Sequence, residues 1–433
     1  MNTEDNSLIE LYGIDDLGKQ RKRYLQLAYE FEKYFGDSES LQYISVPGRT
    51  ELAGNHTDHN NGKVLCAAVS QDTVAAVDCR SDNIVKLKSS AFPDLFEIDL
   101  SELDPREEEK ETTQSLIRGV AAGLQSRGFD IGGFNASVHS NVFIGSGLSS
   151  SASFEVLIGG ILNTLYNGSR IDPVALAQIG QYAENVYFDK PCGLMDQIAC
   201  AVGGVMAIDF KDNENPIVDK IPVNFTNTGY ILVVVDVGAS HADLTTAYAS
   251  VPIEMKQVAS LFDKNTLREV DEEKFRNNIG MVRTEAGDRA LLRGFHFYAE
   301  NQRVALMVEA LKTGDFDAYL RLAAESGASS SSILQNTIPP GNLSQEQPAA
   351  LAIGASNAFF QSKGRGVARI HGGGFAGTIQ AYVHRNHFED YLTLMKKLFG
   401  DNCVVPLKIR MSGVYAFVRR RSQLTRNLNK NYG

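Results

Sequence analysis

Residues 48–65, GRTELAGNHTDHNNGKVL, gather two histidines, an aspartate and three asparagines around glycines, directly ahead of an apolar run. His56, Asp58 and His59 supply nitrogen and carboxylate ligands at a short spacing that zinc can use. The same donors and acceptors can instead hydrogen-bond another ligand. A polar turn leading into a strand would favour the same Asn, Asp and Gly residues. Residue types alone leave these readings open.

A second chemical signal is GSGLSSSAS, residues 145–153, between an apolar strand pattern and an amphipathic helix pattern. Glycines let backbone amides approach an anion, and a serine-rich helix start offers free N–H groups and a favourable dipole to phosphate. A glycine-serine linker would not sit between two such elements. Residues 13–20, GIDDLGKQ, resemble a P-loop but end in Gln20 where Ser or Thr would hold magnesium, and Asp15 and Asp16 would repel phosphate. GSGLSS also lacks the third glycine and acidic partner of a dinucleotide fingerprint. A third glycine-rich turn, HGGGFAGT, spans residues 371–378.

These segments need a scaffold. The chain has 433 residues, enough for two or three domains, and a net charge of −10 that argues against nucleic-acid or membrane-surface binding. Its five cysteines contain no CxxC pair and read as reduced thiols. The polar start MNTEDNSLIE is no signal peptide and no apolar run reaches a membrane span, so a cytoplasmic protein is expected. The first forty residues read as helical, with Leu25, Ala28, Phe31 and Phe35 as the buried stripe. YISV, VLCAAV, TVAAVD, IVKLKS and FNASVHSNV read as strands. Asp172 followed by Pro173 marks a helix start, with Leu176, Ile179, Ala183 and Val186 as its apolar stripe. DNENP, after the strand GGVMAIDF, is the expected boundary between an N-terminal domain of residues 1–210 and a C-terminal domain of residues 211–433. YILVVVDVG, a helical stretch from about 240 to 325, and strands at GVARI, TIQAYV and VYAFV follow. Runs of strands and of helices in both halves predict an α+β fold.

In order along the chain, PGRTELAGNHTDHN, GSGLSSSAS and ARIHGGGFAGT, together with PCGLMDQ at 191–197, resemble the GHMP family of small-molecule kinases, most closely the galactokinases. The signature GRxNxIGEHxDY of that family is matched by Gly48, Arg49, Gly54, His56 and Asp58. The resemblance implies a two-domain fold with the active site in the interdomain cleft, and ATP-dependent phosphorylation of the anomeric hydroxyl of a sugar. Arg49 and Asp196 would flank the reacting hydroxyl. Gly145, Ser146, Gly147, Leu148, Ser149, Ser150 and Ser151 would hold ATP. Glu184 with Ser150 or Ser151 would coordinate Mg2+, and Asn55, His56, Asp58, Gly193 and Tyr248 would line the sugar. The chemistry is consistent with those residue types: Asp196 can accept or position the hydroxyl proton, and Arg49 can stabilise charge developing on the phosphoryl group. On this reading the opening cluster is a sugar cradle and not a metal site.

The chain departs from the signature at Glu51, Ala53, Asn55 and His59, where the family usually has Asn, Ile, Glu and Tyr. The family's glutamate at the Asn55 position reads the C6 hydroxyl of galactose. Galactose is the expected substrate, but a neutral amide there predicts tolerance of a C6 carboxylate and makes galacturonate, or another galactose-configured sugar altered at C6, the alternative. The family's SHxSLR segment is replaced by SGASSSS at Ser326–Ser332. A sugar- and ATP-binding sensor with weak activity is a further alternative, against which the retained Arg49, Glu184 and Asp196 argue.

Overall fold

The computed structural model describes residues 3–142, 147–238, 245–339, 346–375 and 377–419. In chain order its strands are β1 (Gln42–Ala53), β2 (Lys63–Cys79), β3 (Ile84–Ser89), β4 (Leu95–Asp99), β5 (Phe134–Ser140), β6 (Val205–Asp209), β7 (Ile217–Ile221), β8 (Tyr230–Asp236), β9 (Gly366–Ile370), β10 (Thr378–His384), β11 (Val404–Leu407) and β12 (Tyr415–Val418). Among the described residues they form an eight-stranded sheet, with path β12-β1-β2-β5-β3-β4, β6 paired with β2 and β7 paired with β6, and a four-stranded sheet, β11-β8-β10-β9. With the many helices this is an α+β fold.

One face of the larger sheet packs Ile44, Val46, Ala75 and Val77 against helices Thr113–Ser126, Ser150–Tyr166, Pro173–Tyr182 and Met195–Val202. Its other face is covered by helices Thr3–Tyr12 and Leu17–Phe35. In the second helix Tyr24, Leu27, Ala28 and Phe31 are buried, whereas Leu25 is 47 % exposed, so the real stripe is rotated from the one the sequence predicts. The smaller sheet packs against helices Pro348–Lys363 and Phe388–Phe399. Between the sheets a separate core joins Leu52, Leu65 and Val205 to Leu232, Val234 and Tyr382.

Further details differ from the sequence expectation. VLCAAV and TVAAVD are one strand, β2, and YISV continues through GRTELA as β1, because both faces of these strands are buried and the ladder does not stop at the polar residues. DNENP is not a break between sheets: it is the turn of the β6–β7 hairpin, which leaves β7 in the larger sheet, so the passage to the smaller sheet follows Ile221 and not residue 210. The last described strand, β12, also returns to the larger sheet, beside β1. Asp172 does cap its helix, accepting from Val174 N at 2.8 Å, with Pro173 following. That helix ends in a π-helical turn, Ala183–Tyr187. The extra residue in the turn rotates the face, burying Glu184 and leaving the predicted stripe residue Val186 exposed. Such turns are rare and concentrate at functional sites.

Candidate active site

The pairing of β1 with β2 shifts register between Pro47 and Arg49 and again between Glu51 and Ala53. Bulges re-aim side chains locally, and Arg49 lies between these two. Its guanidinium meets Asp196, at the start of helix Met195–Val202, in a two-pronged pair: Nε to Oδ1 at 2.5 Å and Nη2 to Oδ2 at 2.5 Å. The remaining nitrogen, Nη1, donates to the carbonyl of Gly147. The Arg49 backbone N–H donates to Leu148 O at 3.0 Å. The arginine therefore ties the β1 signature, the serine-rich loop and PCGLMDQ together. Burial alone would raise the Asp196 carboxyl, but the charge and hydrogen bonds of Arg49, with a hydrogen bond from Ser149, hold it below the usual carboxylate range.

Gly147 (φ 70°) and Ser149 (φ 60°) both adopt left-handed backbone, and helix Ser150–Tyr166 starts directly after them. A Cβ on Gly147 would lie 2.5 Å from Thr378 Oγ1 and 2.6 Å from His371 Nδ1. The third glycine-rich segment thus braces the back of the loop. His371 also bonds Thr50 Oγ1 at 2.9 Å, and burial pushes its imidazole down to about 3, so it is neutral. Gly145 and Ser146 lie outside the described residues. Leu148 is buried, while Ser150 and Ser151 open the helix. Ser151 Oγ donates to Glu184 Oε1 at 3.0 Å, and Lys190 Nζ reaches the same oxygen at 3.1 Å.

A second group forms beside this one. Asp58 sits against the Cα of Gly193, where a Cβ would come within 2.0 Å of Oδ2. His56 (φ 61°) bonds the Gly373 carbonyl through Nε2 at 2.8 Å and is held down to about 3 by burial and by His59. Tyr248 donates to Gly374 O at 2.6 Å and stacks edge-on with Phe375, and burial raises its phenol. The imidazoles of His56 and His59 are 6.1 Å apart, and among the described residues no group of three His, Cys, Asp or Glu side chains is arranged to hold a metal ion.

Asn55 is placed differently from the sequence expectation. It is fully buried, and its Nδ2 donates to Gly372 O at 2.5 Å and to both oxygens of Glu51 at 3.1–3.2 Å. Its Oδ1 accepts from Asn336 Nδ2 at 2.6 Å. The amide is engaged by protein atoms and does not face the cleft as a reader of C6. The reason is Glu51, whose carboxylate binds Arg369 at 2.8 Å and draws the Asn55 amide inward. Sequence reasoning also missed Glu155 and Gln197, both fully buried beside Glu184. A lone carboxylate within the apolar run SASFEVLIGGIL was the available signal for the first.

With this geometry in view, residues 115–204 match the GHMP kinases N terminal domain, and residues 29–79 match the galactokinase galactose-binding signature. The fold resembles the crystal structure of Lactococcus lactis galactokinase complexed with galactose (TM-score 0.78, 24% identity, 90% of this chain and 99% of that one). It also resembles a mevalonate kinase (TM-score 0.59, 14% identity, 85% and 98%). The architecture is that of the GHMP kinases. Curated galactokinases are 32% identical over 86% of this chain and 92% of theirs in Glaesserella parasuis, and 31% identical over 87% and 93% in Actinobacillus pleuropneumoniae. The chain belongs to the galactokinase family.

Proposed function

We infer that the chain is a sugar kinase that transfers the γ-phosphoryl group of ATP to the anomeric hydroxyl of galactose, giving galactose 1-phosphate and ADP. The observation that carries this reading is the Arg49–Asp196 pair bonded into the phosphate-loop carbonyl of Gly147. A cation, a carboxylate and an anion cradle then share one point, as in-line phosphoryl transfer needs. Asp58, Gly193, His56 and Tyr248 form the sugar side; Gly147 to Ser151, with Gly145 and Ser146, form the ATP side. The depressed carboxyl of Asp196 is a weak base, so its role is to orient the attacking hydroxyl and receive the proton late, as the oxygen–phosphorus bond forms.

The donor set at Glu184 fits Mg2+, which commonly takes one or two protein oxygens and completes its shell with water and substrate phosphates. Ser151 and Glu184 would hold it, with Ser150 adjacent. When bound, the ion neutralises phosphate charge. The galacturonate alternative loses its footing, since it required Asn55 at the sugar's C6.

The test is ADP release over a panel of sugars. Galactose should give the highest kcat/KM, and Asp196→Asn should lower kcat by roughly 10²- to 10⁴-fold with ADP affinity unchanged. Equal turnover in the mutant refutes the assignment.

A further inference from the structure

Glu184 is gripped from behind. Gln197 Nε2 donates to Glu184 Oε2 at 2.9 Å and to Glu155 Oε2 at 3.0 Å, so one amide nitrogen bridges two acidic groups carried on different helical segments. Gln197 and Glu155 are fully buried. Glu155 Oε1 and Gln197 Oε1 have no hydrogen-bond partner, although the other polar atom of each group is engaged. Gly180 closes helix Pro173–Tyr182 over the pair: a methyl there would lie 3.2 Å from Glu155 Cβ and 3.3 Å from Gln197 Cγ and Glu155 Oε2. A buried acidic group with an unpartnered oxygen is costly, and an apolar side chain of similar shape would pack the same space at no such cost. Packing therefore does not account for these two residues.

We propose that Gln197 and Glu155 are positioning residues for Glu184, an inference that rests on the assignment of Glu184 to the metal. A carboxamide can present either its nitrogen or its oxygen. Glu155 accepts from Nε2 and thereby fixes which end faces Glu184. Gln197 in turn pins Oε2 of Glu184, leaving Oε1, which both Ser151 and Lys190 reach, on the side of the phosphate loop. With the amide turned over, two oxygens would oppose each other and the Glu184 carboxylate would lose its fixed orientation. Groups that orient a ligand in this way commonly change metal affinity 10- to 100-fold when removed.

The inventory of donors and acceptors makes the variants discriminating. E155Q keeps an acceptor for Gln197 Nε2 and adds a donor suited to the unpartnered Gln197 Oε1. E155L removes the acceptor, and Q197E replaces the bridging donor with a third acidic group. ADP binding is measured by calorimetry in EDTA and again across a Mg2+ titration, with circular dichroism as the check on folding. Metal-free ADP affinity should be the same in all folded variants. The Mg2+ concentration giving half-maximal enhancement should rise at least about tenfold in E155L and Q197E, and less than about threefold in E155Q. Wild-type Mg2+ dependence in Q197E, or E155Q failing as severely as Q197E, overturns the proposal even if E155L does not fold. Glu184→Gln separates the two levels. Loss of Mg2+ dependence there alongside normal behaviour in Q197E refutes only the positioning role, whereas unchanged Mg2+ dependence in Glu184→Gln refutes the metal assignment and the inference with it.

Discussion

The exchange of carboxylate and amide between positions 51 and 55 should be reversible only as a pair. Arg369 is fully buried and held by Glu51 Oε1 at 2.8 Å and by Leu52 O at 2.6 Å. Burial pushes the Glu51 carboxyl up, against the pull of Arg369 and of the Asn55 amide. Yet every neighbour that touches it is a donor, and burial notwithstanding Arg369 is itself stabilised as a cation by Glu51 and Glu300, so the pair is ionic. At that separation and an effective dielectric near 20 the attraction is about 6 kcal/mol before desolvation. Glu51→Asn strands the arginine, and the expected loss is about 3–5 kcal/mol, tempered by Glu300. Asn55→Glu sets a second acidic group against Glu51 and should cost a comparable amount. The double variant, Glu51→Asn with Asn55→Glu, again places one carboxylate and one amide in contact, and it should recover at least about 2 kcal/mol relative to the sum of the singles. Urea denaturation followed by far-ultraviolet circular dichroism suits a chain without tryptophan. Single effects that add to within about 0.5 kcal/mol would show that the two positions act independently and refute the reasoning.

Two further outcomes follow from the site. Gly193→Ala would drive a methyl into Asp58 Oδ2, so the KM for galactose should rise tenfold or more, an effect worth about 1.4 kcal/mol, with Mg2+-dependent ADP binding unchanged. Buried His56 and His371 have folded values near 3, well below the unfolded histidine value, so the unfolded chain binds more protons between the two; their contribution to stability is complete above about pH 6.5 and declines as pH falls. The urea midpoint should therefore drop from pH 7 to pH 5, and His371→Gln should flatten that dependence.

The sequence carried the motifs more fully than their surroundings. Arg49, Gly147 and Asp196 could be placed together because a family pattern linked segments far apart in the chain, and the structure joins them through direct hydrogen bonds. Asn55 was misread because its orientation depends on Glu51, Gly372 and Asn336, two of which lie hundreds of residues away. The π-helical turn at Ala183–Tyr187 leaves no trace in a 3.6-residue periodicity, so that periodicity puts Val186 on the buried face. Strand β2 looked like two because an apolar alternation broken by Ser70, Gln71 and Asp72 is indistinguishable from a turn until its partners are known.

The return of β12 to the edge of β1 has a consequence for synthesis. Arg410 and Arg23 both bind the buried carboxylate of Asp72, Tyr12 donates to it as well, and β12 pairs with β1 from Gln42 to Ser45. The first sheet therefore emerges from the ribosome long before its last strand exists. At roughly 5–20 residues per second, the more than 300 residues between β2 and β12 take on the order of tens of seconds. Through that interval β1 presents an open edge, and Asp72 lacks one of its two cations. An unpaired edge is a template for other chains. The nascent protein therefore depends most on chaperones in the stretch of translation just before residue 410, and conditions that stall ribosomes there should send it into aggregates while leaving finished molecules untouched.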